Sequence, residues 1–264
     1  MTGWNFADAL EAVAAARPAE RCLLQGDRVI TWRDVNARAN RLAADLLAAG
    51  LGRQSRVAVA LRNRPEYIES YLAAFKTALV PVNTNYRYGP DELRHLWSDA
   101  DAEAVVFEAE LAERVDAVRH DMPGVRRWYA VADGSAPIPA WATPFEQVVA
   151  GAGTGDDVRA PWGRSGDDLL LLYTGGTTGR PKGVMWRQDD VFAITGAGGN
   201  VMLGVDPPAD LTELARRSVP PAGIHRLRLA GFERGTDHRP LGQRAGPGGR
   251  HGPLRAGRDD PAAW

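Results

Sequence analysis

The residues of this chain best equipped for chemistry lie between two apolar runs. After Leu169–Tyr173 the sequence reads Thr174-Gly175-Gly176-Thr177-Thr178-Gly179-Arg180-Pro181-Lys182-Gly183, and Val184-Met185-Trp186 follows. Glycines let backbone N–H groups approach an anion closely, threonine hydroxyls add donors, and a lysine adds a compact positive charge. That donor set suits a polyphosphate, and a polyphosphate points to nucleotide chemistry. Thr174, Gly175, Gly176, Thr177, Thr178, Gly179 and Lys182 are therefore the candidate nucleotide-binding residues. The structural alternative is a plain Gly/Thr-rich turn joining two strands.

The common P-loop places Gly-Lys directly before Ser or Thr at the start of a helix. Here Pro181 precedes Lys182 and Gly183 follows it, so another nucleotide-binding class is expected. The segment closely resembles the Tyr-Thr-Ser-Gly-Thr-Thr-Gly-x-Pro-Lys-Gly signature of the adenylate-forming enzymes, which include acyl-CoA synthetases, luciferases and the adenylation domains of peptide synthetases. Only Gly175 departs from it, standing where serine is commoner, so a hydroxyl contact is lost while the backbone donor remains. Two weaker stretches agree. Arg28 to Arg33, with the alanine-rich helix to Gly50, is similar to the family's early strand and helix. Ala74-Phe75-Lys76 and the block from Val80 to Tyr88 resemble bacterial fatty-acyl-CoA ligases. Within that block, Asn83-Thr84-Asn85-Tyr86-Arg87 favours acyl-CoA ligases over peptide-synthetase domains; taken alone it also reads as a polar turn before a helix at Pro90. Across about residues 4–205 the chain is similar to the amino-terminal part of an AMP-forming acyl-CoA synthetase (fatty-acid-CoA ligase), truncated or frameshifted.

The resemblance implies ATP, Mg2+ and CoA as cofactors and a small-molecule carboxylate as substrate. The carboxylate attacks the α-phosphate to give an acyl adenylate and pyrophosphate, and the acyl group then passes to the CoA thiol. Thr174, Thr177, Thr178 and the glycine amides would hold the β- and γ-phosphates, Lys182 would add charge, and the glycines imply a loop that moves. The family's later motifs have no counterpart here: a Tyr-Gly-x-Thr-Glu element, a ribose-binding aspartate, a hinge, and a small carboxyl-terminal domain with a lysine that reaches the adenylate. No lysine follows Lys182. The expectation is an acyl-CoA ligase by family whose chain, alone, has little or no ligase activity; no residue is assigned as catalytic and no metal ligand is expected.

Composition sets the surroundings. The chain has 264 residues, 44% hydrophobic, with a formal net charge of -1, which gives no electrostatic reason to expect nucleic acid or an anionic membrane as partner. One cysteine, Cys22, cannot form an internal disulfide and reads as a buried structural thiol; with no secretory leader, a cytoplasmic setting is expected. No apolar run approaches the ~18 residues of a membrane helix. Lys76 and Lys182 stand against 30 arginines, the codon bias of a GC-rich genome. Arginine's planar fork is no substitute for a compact ammonium, so Lys182 reads as retained for its chemistry, whereas Lys76 reads as a solvated helix end.

These residues need elements to position them. Thr31 and Asp34 cap a helix carrying Val35, Ala39, Leu42 and Leu46, which Gly50 ends. Val57–Leu61 reads as a strand buried on both faces, and Pro65 opens a helix with Ile68, Leu72 and Phe75. A strand at 80–82, a helix from Pro90 with Leu93, Leu96 and Trp97, a strand at 104–107, a helix around 111–118 and a strand at 128–131 follow. The segment 133–165 is a surface connection with a short helix at 145–149, and the strand 169–173 leads into the phosphate segment. The alternation predicts an α/β fold: a doubly wound, mostly parallel sheet with helices on both faces and ligands beyond the carboxyl ends of its strands.

From Ser218 the pattern stops. The last 47 residues hold nine glycines, six prolines and eight arginines, so domain 1–217 is expected to be followed by a disordered tail, 218–264. Out-of-frame reading of a GC-rich gene gives that composition, and a frameshift near codon 218 is expected. Two other functions stay open: a non-catalytic protein-binding remnant, and a basic-tail nucleic-acid binder, the latter disfavoured because only Phe232 and Trp264 offer stacking surfaces. His225, His238 and His251 have no metal-site spacing, and His95 and His120 read as surface residues.

Overall fold

The computed structural model describes residues 3–151, 157–174, 180–195, 199 and 205–217. Residues 175–179 of the phosphate segment and the tail 218–264 lie outside them. In chain order the elements are α1 (Phe6–Ala16), β1 (Arg21–Gln25), β2 (Arg28–Thr31), α2 (Trp32–Ala48), β3 (Arg56–Ala60), α3 (Pro65–Lys76), β4 (Val80–Asn83), α4 (Pro90–Asp99), β5 (Ala102–Glu108), α5 (Ala112–Arg119), β6 (Arg127–Val131), β7 (Thr143–Pro144), α6 (Phe145–Val149), β8 (Leu169–Thr174), β9 (Lys182–Arg187), α7 (Gln188–Ile194) and α8 (Leu211–Arg217).

β1 and β2 form a separate antiparallel hairpin; the other strands make one sheet in the order β7-β6-β5-β3-β4-β8-β9. Every pairing in that sheet is parallel except β8 with β9. The expected doubly wound α/β sheet is therefore present. Alternation along each strand feeds two cores. Val57, Val59, Ala104, Val106, Tyr129 and Leu170 face α1, α2, α3 and α6, while Ala58, Ala60, Val105, Phe107 and Ala130 face α4 and α5. β3 leaves for β4 through α3 on the first face, and β5 leaves for β6 through α5 on the second. The crevice between the carboxyl ends of β3 and β5 is thus a topological switch point.

The local reasons are those the sequence offered. Thr31 Oγ1 accepts the Asp34 amide and the Asp34 carboxylate accepts the Thr31 amide, a capping box that contributes about 0.5–2 kcal/mol. Gly50 lies at φ +83, a left-handed position open to glycine, and ends α2.

Two residues contradict the sequence reading. Ile68 is 40% exposed, because α3 turns it away from both cores. Lys76 is not a solvated helix end: its side chain is fully buried and donates to Glu11 on α1 and to Asp157 at 3.3 Å. Arg164 closes the cluster, donating to both Glu11 oxygens at 2.7 Å and to the Lys76 carbonyl at 2.8 Å. Burial pulls the Lys76 ammonium down from its ordinary range, against the opposing pull of Glu11 and Asp157.

Candidate functional site

The two described ends of the phosphate segment meet across a strand pair. Thr174 closes β8 and Lys182 opens β9, and the antiparallel register makes them direct partners. Direct partners share one face of the ladder with Cβ atoms about 4.5–5.5 Å apart, so a hydroxyl and an ammonium stand together at the mouth of residues 175–181. Both residues are exposed. Gly175, Gly176, Thr177, Thr178 and Gly179 lie outside the described residues. The segment links two neighbouring antiparallel strands and begins at the carboxyl end of a strand that pairs in parallel with β4, where ligands of such sheets bind.

The strand end carrying this mouth is held on three sides. Asn83, the last residue of β4, accepts the Tyr173 amide at 2.5 Å and donates to the Tyr173 carbonyl at 3.1 Å, extending a parallel pairing whose backbone register is Val82 with Leu171. The Tyr173 hydroxyl donates to Asp99 at 2.7 Å; burial and that carboxylate both raise its pKa, so it stays a neutral donor. The Tyr173 ring lies over Gly183, where a Cβ would come within 2.8 Å of it. Any larger residue there would push the Tyr173 ring off its Asp99 partner, a steric reason for the glycine following Lys182. Asn83 belonged to a run singled out in the sequence, but its clamp was not foreseen. The available signal was its place: a side chain with both donor and acceptor ending an apolar strand.

At the switch point lies a cleft of about 400 Å³ lined by Arg62, Arg64, Glu108, Glu110 and Asp133 among others. Carboxylate oxygens of Glu108, Glu110 and Asp133 lie within 4.8 Å of one another. Each is already engaged: Arg62 and Arg64 pair with Glu108, Arg62 reaches Glu110 at 2.5 Å, and Ser135 donates to Asp133 at 2.6 Å. Arg62 also lies 4.8 Å from the Tyr86 ring centroid, and Arg114 donates to the Tyr86 and Tyr88 carbonyls. Arg62 of the cleft and Arg114 of α5 thus hold Tyr86 and Tyr88 in the segment that follows Asn83.

Cys22 is half-buried and burial pushes its thiol up to about 12, so no reactive thiolate is available. His95 is half-buried and His120 exposed. No helix among the described residues is long and apolar enough to cross a membrane.

Residues 10–208 match the family described as AMP-binding enzyme. The medium-chain acyl-CoA ligase Mig of Mycobacterium avium is 36% identical over 231 residues, covering 82% of this chain and 41% of that protein. A medium/long-chain-fatty-acid and 3-oxocholest-4-en-26-oate CoA ligase of Mycobacterium tuberculosis is 37% identical over 220 residues, 82% of this chain and 40% of that protein. The chain spans about 40% of the length of these curated relatives. Among solved structures, a Mycobacterium tuberculosis fatty acyl CoA synthetase aligns with a TM-score of 0.59 at 26% identity, over 74% of this chain and 36% of that one. The anthranilate CoA ligase AuaEII, solved with anthranoyl-AMP, aligns with a TM-score of 0.66 over 75% of this chain and 38% of that one; at 23% identity it shows likeness of fold.

Proposed function

Because the chain belongs to the AMP-binding enzyme family, we propose that it forms the phosphate-holding front part of an AMP-forming fatty-acid-CoA ligase. In that reaction a medium- or long-chain carboxylate attacks the α-phosphate of ATP, giving an acyl adenylate and pyrophosphate, and CoA takes the acyl group. The observation that carries the reading is the pairing of Thr174 with Lys182 at the mouth of the Gly/Thr segment, on a strand end fixed by Asn83. Negative charge grows on the transferring and leaving phosphates during adenylation. Donors held in advance where that charge develops stabilise it. Thr174, Thr177, Thr178 and the amides of Gly175, Gly176 and Gly179 supply such donors for the β- and γ-phosphates, and Lys182 supplies charge.

Mg2+ is the expected counter-ion of the nucleotide. The carboxylates of Glu108, Glu110 and Asp133 do not fit it as a donor set, since arginines and a hydroxyl already hold them. No step is assigned through the ion. This polypeptide alone is expected to bind nucleotide without completing the reaction.

Calorimetric titration of the full chain with Mg2+-ATP tests the reading. Binding that Lys182→Ala weakens about tenfold or more, on the scale of one charge-assisted hydrogen bond, supports it. Absence of binding by the unaltered chain overturns it, and robust carboxylate-dependent ATP–pyrophosphate exchange overturns the expectation of inactivity.

A further inference from the structure

Tyr173 follows the all-leucine run Leu169–Leu172 and is gripped at both ends. Asn83 of β4 holds its main chain, and Asp99, the last residue of α4, accepts its hydroxyl at 2.7 Å. Between those grips the ring, 6% exposed, packs into the second core and lies over Gly183, its direct partner in the β8–β9 register. A phenylalanine would fill the same space, so what the hydroxyl adds is the bond to Asp99. Asp99 itself is exposed. Among the described residues no arginine pairs with its carboxylate, whereas Asp91, Asp101, Asp116 and Asp121 each have one.

Gly183 is the next link. A glycine sets its own backbone angles weakly, and with them the approach of the residue before it. Here the Tyr173 ring takes the place of the missing side chain, the cover that an aromatic residue gives a glycine across a strand pair. Asn83 fixes the Tyr173 main chain but leaves the ring a choice of rotamers, and the bond to Asp99 removes that choice. Lys182 is joined to Gly183 and faces Thr174 across the ladder, so the seat of the ring governs where the ammonium stands beside the Thr174 hydroxyl.

We propose that Asp99 is a positioning residue for Lys182: acting through Tyr173 and Gly183, it fixes the ammonium at the mouth of the Gly/Thr segment and so sets the affinity of the chain for a nucleotide polyphosphate. The effect on affinity rests on the nucleotide binding proposed for this segment; the hold on Lys182 does not.

The two lysines make the hold directly visible, because labelling with 15N-lysine gives main-chain amide signals for Lys76 and Lys182 alone, and Lys182→Arg assigns them. In the full chain without nucleotide, Asp99→Ala and Tyr173→Phe should each move the Lys182 signal and quicken exchange of the β9 amides, with the Lys76 signal unmoved. Calorimetry with Mg2+-ATP should show each variant weakened about three- to tenfold, the scale of one hydrogen bond. The double variant should be no weaker than either single one, since both remove the same bond. Asp99→Asn keeps an acceptor oxygen and should keep the parental signal and affinity. A bond that serves stability alone would lower the urea midpoint and leave the Lys182 signal and the affinity in place, which overturns the proposal. Additive losses in the double variant, or an Asp99→Asn variant that behaves like Asp99→Ala, also overturn it. An unaltered chain that binds no ATP overturns the nucleotide binding and the effect on affinity with it, and the Lys182 signal then decides by itself whether Asp99 holds Lys182.

Discussion

β3 and β9 are spelled alike and buried differently. Each is a short apolar run suited to cover on two faces. β3 lies mid-sheet between β4 and β5, and Val57, Ala58, Val59 and Ala60 are all fully buried. β9 lies at the end of the same sheet with Met185 70% exposed. Full burial of an aliphatic side chain contributes about 1.5–3 kcal/mol, which β3 collects from helices on both sides and β9 does not. The difference teaches that the part of the sheet from β7 to β4 is packed on both faces, whereas the β8–β9 pair, with the candidate site between its strands, is attached to that body along one side. Stability and site are therefore carried by different regions.

The largest expected effect falls in the complete region. Glu11→Ala leaves the Lys76 ammonium buried with its main partner gone, and removal of one member of a buried pair costs about 3–5 kcal/mol. Urea unfolding measures it, and a loss under about 1 kcal/mol would show that the charge cluster does not hold α1 against α3. Next comes the hairpin. Gly183→Ala drives a methyl into the Tyr173 ring, at about 1–3 kcal/mol for overpacking, and its damage should be local. Hydrogen exchange should quicken in β8 and β9 while β3 and β5 keep their protection; equal loss in all four strands would mean the two regions are one cooperative unit.

A third expectation concerns acid. Burial of Glu66 raises its pKa, but Arg64 at 2.7 Å and Arg28 at 3.1 Å outweigh it and hold the carboxyl below its ordinary 4.5. A carboxylate lowered on folding stabilises above its unfolded value and loses that contribution as pH falls through the folded one. Urea midpoints measured between neutrality and pH 3 should therefore fall less steeply for Glu66→Gln than for the parent, and an unchanged slope would count against this pairing. The smallest effect is Met185→Lys, within about 0.5 kcal/mol as for other exposed positions. The same change at Val59 should abolish folding, read by circular dichroism.

Much of this division was legible in the sequence. The capping box at Thr31, Pro65 at the start of α3, Gly50 after α2 and the apolar run of β3 are local signals, and local signals fixed those elements correctly. What escaped notice depends on distant partners. Lys76 looked solvated because its acceptors Glu11 and Asp157 lie 65 and 81 residues away. The Asn83 clamp spans 90 residues and leaves no periodic trace. β1 was missed because its burial is slight and irregular, and β7 because two residues hold no pattern. α1 carried a readable signal in Asn5, whose side chain caps the Ala7 amide ahead of a run with apolar residues at helical spacing. Of the candidate nucleotide-binding residues, Thr174 and Lys182 are placed face to face, an arrangement that needed knowledge of the β8–β9 register.

The Asn83–Tyr173 clamp also sets an order of assembly. β3, β4, β5 and β6 come from one continuous stretch and can pair as soon as it is made. β8 must close a 90-residue excursion before it meets β4, and such long-range closures are slow in folding. During synthesis the edge of β4 stands open until the chain has grown past Thr174, the end of β8. The β8–β9 pair is then the last piece of the sheet to be set, and chaperones or proteases would meet this protein chiefly in that interval.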